Sequence, residues 1–508
     1  MKKWLTCLIL GAMLATLSAC GGETAEQPSG GEAASQDTEI SSPAVEETEE
    51  IIEETQDPAL LDELPKEVHD YDGYTFTVLS HQLPDSSIAW KVVDIYTEEQ
   101  VGERINDAVY QRNLTMEERF GVKVAQNLQD DPYSVAVQLI TAQDDSFDLL
   151  QTNTQDQCSL AVSGYLLNMN DLEYIDFDKA WWDTASIKGI SIGNKVFYAI
   201  GDSSLNGKKA TWVVLFNKML TSNAGVTDLY SLVKEGGWTL DKLQEYGKQI
   251  AQDTDGDGTM TWGTDIFGVG LQYEVVIPLL LGDGKKLLEV NEDGSLVYSM
   301  NSPAVVDAME KIYNFLNTGD DYILNCNHYD GKIPSQWVEF RNRFMADQIG
   351  FFMGHLGTVT LVGGDMNNDF GILPFPKLTE EQDGYHSTFQ YGNAYAVSAP
   401  KSATDLTRTG MLTEAYQMLS HTTVLPAYYD YTLTFRNARD EASGEMLDII
   451  FGSRNFDLSL AFNSTTNTQG FLQDIVKAES FTYASKEAAN QKVVTKNMEN
   501  LLKKMNEN

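Results

Sequence analysis

The sequence has little cysteine, histidine or positive charge, and each shortage narrows the classes of protein it can encode. Four cysteines and six histidines in 508 residues support neither a disulfide scaffold nor a clustered zinc site. Lys and Arg number 35 against 75 Asp and Glu, for a formal net charge of −40. Nucleic acid and anionic lipid are therefore excluded as partners, and an anionic ligand would need a local basic pocket.

Short catalytic motifs are also missing. The sequence contains no His-Glu-x-x-His and no Gly-x-Ser-x-Gly, so the zincin and serine-hydrolase classes lack their residues. Paired-carboxylate glycosidases have no local signature. A glycan-degrading enzyme therefore stays an open alternative, although we expect no enzymatic activity and no required cofactor.

The first twenty residues have the order of an export signal. Lys2 and Lys3 precede an apolar stretch, Leu5–Thr16, that is too short to span a bilayer comfortably. Leu17–Cys20 then resembles the bacterial lipobox, which implies a signal peptide over residues 1–19 and a lipidated Cys20. We expect a lipid anchor at the extracellular face of the cell membrane, on a Gram-positive surface rather than in a periplasm.

Residues 20–66 predict an acidic tether. Between Gly21 and Glu63 there are fourteen acidic residues and no lysine or arginine, with almost no aromatic or clustered apolar side chains. Such a composition cannot bury a core, and its like charges repel one another. Of the four cysteines, Cys158 and Cys326 remain in the body that follows, and we expect two buried thiols.

The remaining chain predicts an α/β protein of two or three domains. Tyr74–Leu79 and Phe147–Leu150 have strand patterns, and Glu98–Phe120 has a long helical pattern ending at Gly121. Ligands of such folds lie beyond the carboxyl ends of strands. The polar loop Gln151–Asp156 therefore becomes a candidate binding loop.

Several segments occur in the order known from one family. They are Gly193–Ile200, Trp212–Lys218, Trp238–Leu243, Asp253–Gly258, Phe351–His355, Phe370–Pro376 and Gly392–Ser398. Together they resemble the family 1 extracellular solute-binding proteins, which include the maltose-binding proteins. The resemblance covers roughly residues 70 to 480.

That resemblance implies a type II periplasmic-binding-protein fold, with two α/β lobes, a ligand cleft between them and hinge strands. The N-terminal lobe is expected at 67–208 plus 377–428, and the C-terminal lobe at 209–376 plus 429–508. Crossings are expected near 205–211, 373–377 and 426–433. The implied function is the binding subunit of an ABC importer, a monomer that captures a carbohydrate and delivers it to permease subunits.

The resemblance to maltose-binding proteins also brings a set of polar and aromatic residues to the cleft. These are Thr152, Asn153, Gln155, Asp202, Ser203, Lys209, Gln272, Tyr273, Glu274, His355, Tyr391 and Asn393. The family's tryptophan near position 355 is missing here, which leaves the sugar unidentified.

A tryptophan pair and an acidic loop are two further candidate sites. Trp181 and Trp182 follow an Asp-rich turn, and an exposed tryptophan pair is a candidate platform for stacking a sugar ring. The spacing Asp253-x-Asp255-x-Asp257-Gly258, with Thr259 offering a carbonyl, is typical of a calcium loop. Thr264 stands where an EF-hand has glutamate, so the alternatives are a structural calcium ion or a solvated acidic turn.

The sequence leaves two alternatives to carbohydrate transport. A peptide, polyamine or other solute could be the ligand of the same transport role, and a cationic solute would suit an acidic cleft. A sensor or adhesion lipoprotein could use the same fold without a permease.

Overall fold

The computed structural model describes residues 70–192, 195–291, 294–319, 321–363, 366–434 and 441–507. The predicted signal peptide, Cys20 and the acidic tether lie outside these residues. The strands are β1 Tyr74–His81, β2 Val122–Gln129, β3 Leu149–Asn153, β4 Trp212–Asn217, β5 Phe267–Leu271, β6 Leu288–Val290, β7 Leu296–Tyr298, β8 Ile323–Asn325, β9 Ile349–His355, β10 Phe370–Leu373 and β11 Tyr395–Ser398.

Helices form most of the rest. They are α1 Arg104–Phe120, α2 Pro132–Thr141, α3 Thr154–Val162, α4 Thr184–Ile190, α5 Asn206–Lys209, α6 Lys218–Asn223, α7 Leu229–Lys234, α8 Leu240–Ile250, α9 Val276–Leu281, α10 Pro303–Leu316, α11 Gln336–Met345, α12 Val359–Val362, α13 Leu406–Thr422, α14 Val424–Thr434, α15 Glu441–Gly452, α16 Leu458–Ala461, α17 Asn463–Thr466, α18 Thr468–Val476 and α19 Tyr483–Glu507. Short 3-10 helices lie at Asp85–Trp90, Tyr273–Val275 and Leu356–Thr358, among others.

Two mixed sheets organise the described chain, as predicted for an α/β protein. The first has the order β11-β3-β1-β2, in which β1 runs parallel to β2 and β3 while β11 is antiparallel. The second has the order β10-β4-β9-β5-β8, with β5 parallel to both β8 and β9. The strands β6 and β7 form a separate antiparallel pair.

Buried clusters lie on both faces of the second sheet, which is why its strand β4 is apolar from Trp212 to Phe216. On β4, Val213 and Leu215 join one buried cluster, whereas Trp212 and Val214 join another on the opposite face. A strand buried on both faces shows a continuous apolar run instead of alternation. Trp212–Asn217 is buried at all six positions, in agreement with its sequence.

The approach of α8 to β5 depends on glycine. Thr239 caps this helix by accepting a hydrogen bond from the Lys242 amide at 3.3 Å. A Cβ at Gly268 would lie 1.9 Å from the carbonyl oxygen of Gly247, so no side chain fits there. The helix can therefore pack directly on the strand that leads into the cavity described below.

The first long helix begins later than its pattern predicts. The expected start at Glu98 is wrong, because α1 begins at Arg104. Gly102 has φ +81°, and the Asp107 carboxylate accepts hydrogen bonds from the Val101 and Gly102 amides at 2.9 and 3.3 Å. These contacts hold the preceding residues in a loop.

Two chain segments that cross between the sheets pair side by side. Thr211 and Phe389 form an antiparallel bridge, and the Trp212 and Gln390 amides donate to the carbonyls of Thr388 and Ala210, both at 2.9 Å. The first of these segments adjoins the crossing predicted at 205–211. Hinge strands of the expected kind are therefore present, and the predicted lobe boundaries stay a prediction.

The return crossing lies further along the chain than the predicted 373–377. Lys377 still pairs with Trp238 and Thr239 on the side of the second sheet, and Tyr385 still contacts Trp238. The chain reaches the first sheet only near residues 388–395. The predicted third crossing at 426–433 lies within α14, which packs on α1 and whose Val424 and Tyr428 also join the buried cluster that contains Val213 of the second sheet.

Cys158 and Cys326 are both free and buried, as predicted. None of the described helices combines the length and apolar character needed to cross a bilayer.

Candidate functional site

A cavity of about 350 Å³ opens where the carboxyl ends of strands from the two sheets face each other. Gln272 follows β5, Asn327 follows β8 and His355 ends β9, so three parallel strands of the second sheet supply one wall. Trp90 lies in the 3-10 helix after β1, and Gln390 precedes β11; these come from the side of the first sheet. Parallel strands place their carboxyl ends at one sheet edge, which explains why distant segments meet here.

Three flat aromatic side chains, those of Trp90, Tyr273 and Trp337, are among the residues that line this cavity. Trp90 is half-buried, and its ring centroid lies 5.7 Å from that of His355. Trp337 projects from α11 with 45% of its surface exposed. Tyr273 follows β5, and its hydroxyl lies 2.9 Å from His328 Nε2. Rings exposed in a concave site are suited to stacking against a flat, partly apolar ligand.

His355 supplies a neutral ring at the inner wall. Its centroid lies 4.0 Å from that of Trp212, and Nε2 is buried without a hydrogen-bond partner. Burial lowers the pKa of His355 to about 3, so the imidazole is uncharged at neutral pH. A ligand hydroxyl that reaches this nitrogen would satisfy it.

Glu274 is the carboxylate of the cavity, and amide groups hold it. Gln390 Nε2 donates to both of its oxygens at 3.1 and 3.0 Å, and Gln469 Nε2 donates to Oε1 at 2.8 Å. Burial raises the pKa of Glu274, while these amides and nearby Lys477 oppose the shift. Asn393 also donates to Gln390, so a chain of amides links Glu274 to the return crossing.

Five of the residues predicted to bind ligand line this cavity together: Gln272, Tyr273, Glu274, His355 and Asn393. They come from loops that are far apart in sequence and that the resemblance had placed in one cleft.

Thr152, Asn153 and Gln155 lie at the carboxyl end of β3, but not among the residues that line the cavity. Asn153 caps α3, since its side chain accepts from the amides of Gln155 and Asp156 at 3.1 and 3.0 Å. The Thr152 hydroxyl donates to Asp156 Oδ2 at 3.1 Å and lies 3.2 Å from His81 Nδ1. These side chains are engaged within the fold at the edge of the first sheet.

Asp202 and Ser203 lie in the interior at the first crossing instead of in the cavity. Asp202 is 3% exposed and pairs with Lys208 at 3.1 Å and with His421 at 2.7 Å. Burial alone would raise the pKa of Asp202, but Lys208 and His421 hold it below its usual value. The Ser203 hydroxyl accepts from Gln417 Nε2 at 2.7 Å.

Lys209 and Tyr391 are likewise buried. Lys209 is 5% exposed, and burial lowers the pKa of its ammonium group against the opposing charge of Asp94. The Tyr391 hydroxyl accepts from the Asp457 amide at 2.9 Å. Both residues support the crossing segments rather than the cavity surface.

The prediction that Trp181 and Trp182 form an exposed pair is wrong. Trp181 and Trp182 are 2% and 3% exposed, and their indole N–H groups donate to the two oxygens of Glu414 at 2.8 and 3.0 Å. Both rings pack in the core beside α13. They anchor the fold because one buried carboxylate satisfies both indoles, which leaves no face for a ligand.

Sequence reasoning missed several cavity residues: Trp90, Asn327, Phe340, Arg341, Gln390 and Gln473. Trp90 follows the first strand, at the sheet edge where ligands bind, and that position could have drawn attention to it. Trp337 and Arg341 are four residues apart on α11, a spacing that puts both on one helix face. Gln390 carries no local signal.

The acidic loop differs in detail from the predicted calcium ligands. Carboxylate oxygens of Asp253, Asp255 and Asp265 all lie within 4.8 Å of one another, while Asp257 is not in this group. Asp257 and Thr259 instead pair with each other, the Thr259 amide donating at 2.8 Å. Asp265, one position past the end of a twelve-residue loop, replaces Asp257, and calcium binding stays a prediction.

Comparisons with known proteins establish the fold. No protein-family model matches the chain, and no curated protein matches it. A substrate-binding protein of an ABC transporter from Listeria monocytogenes, solved with cycloalternan, is 15% identical with a TM-score of 0.51, over 86% of this chain and 100% of its own. A sugar transporter protein from Rhizobium etli in an open conformation is 13% identical with a TM-score of 0.55, over 84% and 99%.

The maltose/maltodextrin-binding domain from Bdellovibrio bacteriovorus, bound to maltotriose, is 12% identical with a TM-score of 0.51, over 84% of this chain and 100% of that domain. At such identities the likeness concerns the fold. The chain has the two-lobe, type II fold of periplasmic binding proteins, as the sequence predicted.

Proposed function

We propose that this protein is the extracellular capture subunit of an ABC importer and that its ligand is a carbohydrate. One observation carries the proposal: the cavity between the two sheets combines exposed flat rings with converging amides and one carboxylate. Trp90, Tyr273 and Trp337 supply the rings, and Glu274 and Asn393 represent the polar groups. Sugars need both, because their C–H faces stack on aromatics while their hydroxyls take hydrogen bonds.

The lining favours binding over hydrolysis. Glycosidases use two carboxyl groups that flank the scissile bond. Among the residues described, Glu274 is the single carboxylate that lines the cavity. Its oxygens already accept amide hydrogen bonds, as expected of a group that orients hydroxyls.

Proteins of the same fold support the choice of ligand class. Those similar to this chain were solved with cycloalternan and with maltotriose, and one is described as a sugar transporter. Closure of two lobes about paired crossing segments would enclose a ligand and present the closed form to permease subunits. Peptides and polyamines remain controls for the test below.

The proposed anchor is a lipidated Cys20 on a protein that acts as a monomer at the outer cell surface. Its support is the order of basic, apolar and lipobox residues at the N-terminus. Replacing Cys20→Ala should abolish incorporation of labelled palmitate and release the protein into the medium. Retention of the label by the variant would refute this assignment.

The ligand class is tested by thermal shift with panels of sugars, peptides and polyamines. A ligand at a hundred times its Kd should stabilise the protein by about 2.7 kcal/mol. Stabilisation by saccharides alone is the expected result. Stabilisation by peptides or polyamines alone would refute a carbohydrate ligand.

The cavity itself is tested with two neighbouring residues of α11. Trp337→Ala should weaken binding of the identified saccharide roughly tenfold, because it removes a stacking surface, with little change in melting temperature. Val338→Ala is the matched control, since Val338 is 44% exposed on the same helix but does not line the cavity. Equal affinities for the two variants would place the binding site elsewhere.

A further inference from the structure

Arg341 is the guanidinium group of the cavity lining, and its helix holds it there. The spacing of Trp337, Phe340 and Arg341 puts all three on one face of α11. Phe340 is 3% exposed, and its ring centroid lies 4.5 Å from that of Phe352 on β9. Because this contact fixes the helix on the sheet, Trp337 and Arg341 are presented to the cavity as a pair, one turn apart.

The acidic side chains on α11 and just before it have other partners. Glu339, the one acidic residue of α11, accepts from Arg343 Nη2 at 3.3 Å and from Asn342 Nδ2 at 2.9 Å. Asp330, just before the helix, accepts from Gln336 and from Asn327.

Glu274, across the cavity, accepts three amide hydrogen bonds, as described above. No ion pair or hydrogen bond joins the Arg341 side chain to any part of the chain that the structure describes, and no aromatic ring lies beneath it.

An unpaired, half-buried guanidinium is unusual in a protein with a net charge of −40, where acidic partners abound. Burial lowers the pKa of Arg341, and no neighbouring carboxylate counters the shift. Arginine nevertheless keeps its charge in proteins. A buried charge is stabilised by an opposite charge and by hydrogen bonds. Because the described chain supplies no such partner for Arg341, an anionic group of the ligand could provide it.

We propose that the captured saccharide is acidic and that its anionic group pairs with Arg341 while its ring stacks on Trp337. This inference rests on the proposed function and specifies its ligand. The planar guanidinium binds two oxygens of one group side by side, and the carboxylate of a uronic acid, a sulfate ester and a phosphate ester all present such oxygens. The neutral amide side chains that line the cavity can form hydrogen bonds with the hydroxyl groups of the saccharide.

Isothermal titration of the purified full-length protein tests the inference. The probes are trigalacturonate, a neutral trisaccharide, a sulfated oligosaccharide and a sugar phosphate, each against the wild type, Arg341→Gln and Arg343→Gln. Arg343 is the matched control because it lies on the same helix, pairs with Glu339 and does not line the cavity. A thermal melt confirms that each variant is folded.

We expect an acidic saccharide to bind the wild type more tightly than the neutral one. Arg341→Gln should weaken that binding at least about tenfold, as loss of a charged hydrogen bond does, and should leave neutral sugars within about threefold. Arg343→Gln should match the wild type. Whichever anionic probe responds to Arg341→Gln identifies the group as carboxylate, sulfate or phosphate.

Equal affinity for neutral and acidic saccharides, unchanged in Arg341→Gln, would overturn the inference and leave saccharide capture intact. Selective loss of acidic binding in both variants would also overturn it, since a general charge effect would then be responsible. If no saccharide binds at all, the proposed function and this inference fail together.

Discussion

Single buried ionisable residues connect distant segments of this protein through hydrogen bonds and ion pairs. Glu414 is the clearest case, because it lies 4% exposed beneath two indole N–H donors. Burial raises the pKa of Glu414 to about 7, and the indole hydrogen bonds only partly oppose this. The carboxylate that satisfies Trp181 and Trp182 is therefore ionised at a cost in free energy of folding.

The first prediction concerns pH and this residue. Because the pKa of Glu414 is higher in the folded state than in the unfolded state, the stability it contributes is complete below about pH 4.5. That stability is lost as the pH rises to about 7, with an upper limit of about 3 kcal/mol. The melting temperature of the wild type should therefore fall more between about pH 5 and pH 8 than that of Glu414→Gln.

Glu445→Gln is the control for that comparison, since Glu445 is exposed and pairs with Lys234 at the surface. It should keep the pH profile of the wild type. If Glu414→Gln also keeps that profile, the carboxyl does not titrate in this range.

At the scale of elements, one residue joins the two crossing segments to the rest of the fold. Arg454 donates to Asp183 Oδ2 at 2.6 Å, and the two side chains are 2% and 7% exposed. It also donates to the Gly207 carbonyl at 3.0 Å and to the Thr211 hydroxyl at 2.6 Å. The adjacent segment pairs with Ser387, so both crossings are held by residues 453–455.

The second prediction follows from this burial. Arg454→Met should lower the free energy of unfolding by about 3–5 kcal/mol, because it leaves the Asp183 charge buried and unpaired. Urea denaturation measures the loss. Lys234→Met breaks an exposed pair and should cost at most about 1 kcal/mol. Losses of similar size in both variants would show that the buried Arg454–Asp183 pair contributes no more to stability than the exposed Lys234–Glu445 pair.

The acidic loop after α8 is a second element whose structure changes a prediction from sequence. Its three nearest carboxylates are those of Asp253, Asp255 and Asp265, which replaces Asp257. The third prediction is that calcium raises the melting temperature of the wild type and of Asp257→Asn, but not of Asp255→Asn.

Melts in calcium and in EDTA distinguish the outcomes. If the response to calcium is lost equally in both variants, Asp257 is a ligand, as the sequence predicted. No response in the wild type would make the loop a solvated acidic turn.

At the scale of the whole molecule, two sheets meet across paired crossing segments with the cavity between their carboxyl edges. The bridge between Thr211 and Phe389 and its flanking hydrogen bonds join the two crossing segments. Such a connection permits rotation of one lobe relative to the other with little change inside either.

The fourth prediction is that a bound ligand closes the lobes. Small-angle X-ray scattering should give a smaller radius of gyration with a saturating ligand than without it. Trp337→Ala at the same, subsaturating ligand concentration should show a smaller change. An unchanged radius at saturation would mean that the ligand binds a cavity that is already closed.

Much of this architecture could be predicted from the sequence because it depends on local patterns. The alternation in Tyr74–Leu79 and the continuous apolar run in Trp212–Phe216 each predicted a strand, and Gly121 marked the end of the first long helix. Of the five residues predicted to bind ligand that line the cavity, Gln272, Tyr273 and Glu274 follow β5 and His355 ends β9, and strand ends can be found from periodicity. The resemblance to a family then placed those ends in one cleft.

Other assignments failed because burial and pairing depend on distant residues. Nothing near Trp181 and Trp182 indicates that Glu414, more than two hundred residues later, satisfies both indoles. The same holds for Asp202, whose partner His421 lies on α13. Asp202, beside a predicted crossing, was expected at the cavity surface. It is buried instead, because it pairs with Lys208 and His421.

The sequence by itself determined the alternation of strands and helices and the acidic character, since these follow from composition and short-range periodicity, and it predicts an export signal at residues 1–19. Only the tertiary structure decided which side chains face the cavity. It replaced the predicted tryptophan pair with Trp90 and Trp337, and it left Arg341 as a charge without a partner. The physical reason is that the exposure and the partners of a side chain depend on residues of distant elements, and these come together only when the elements pack.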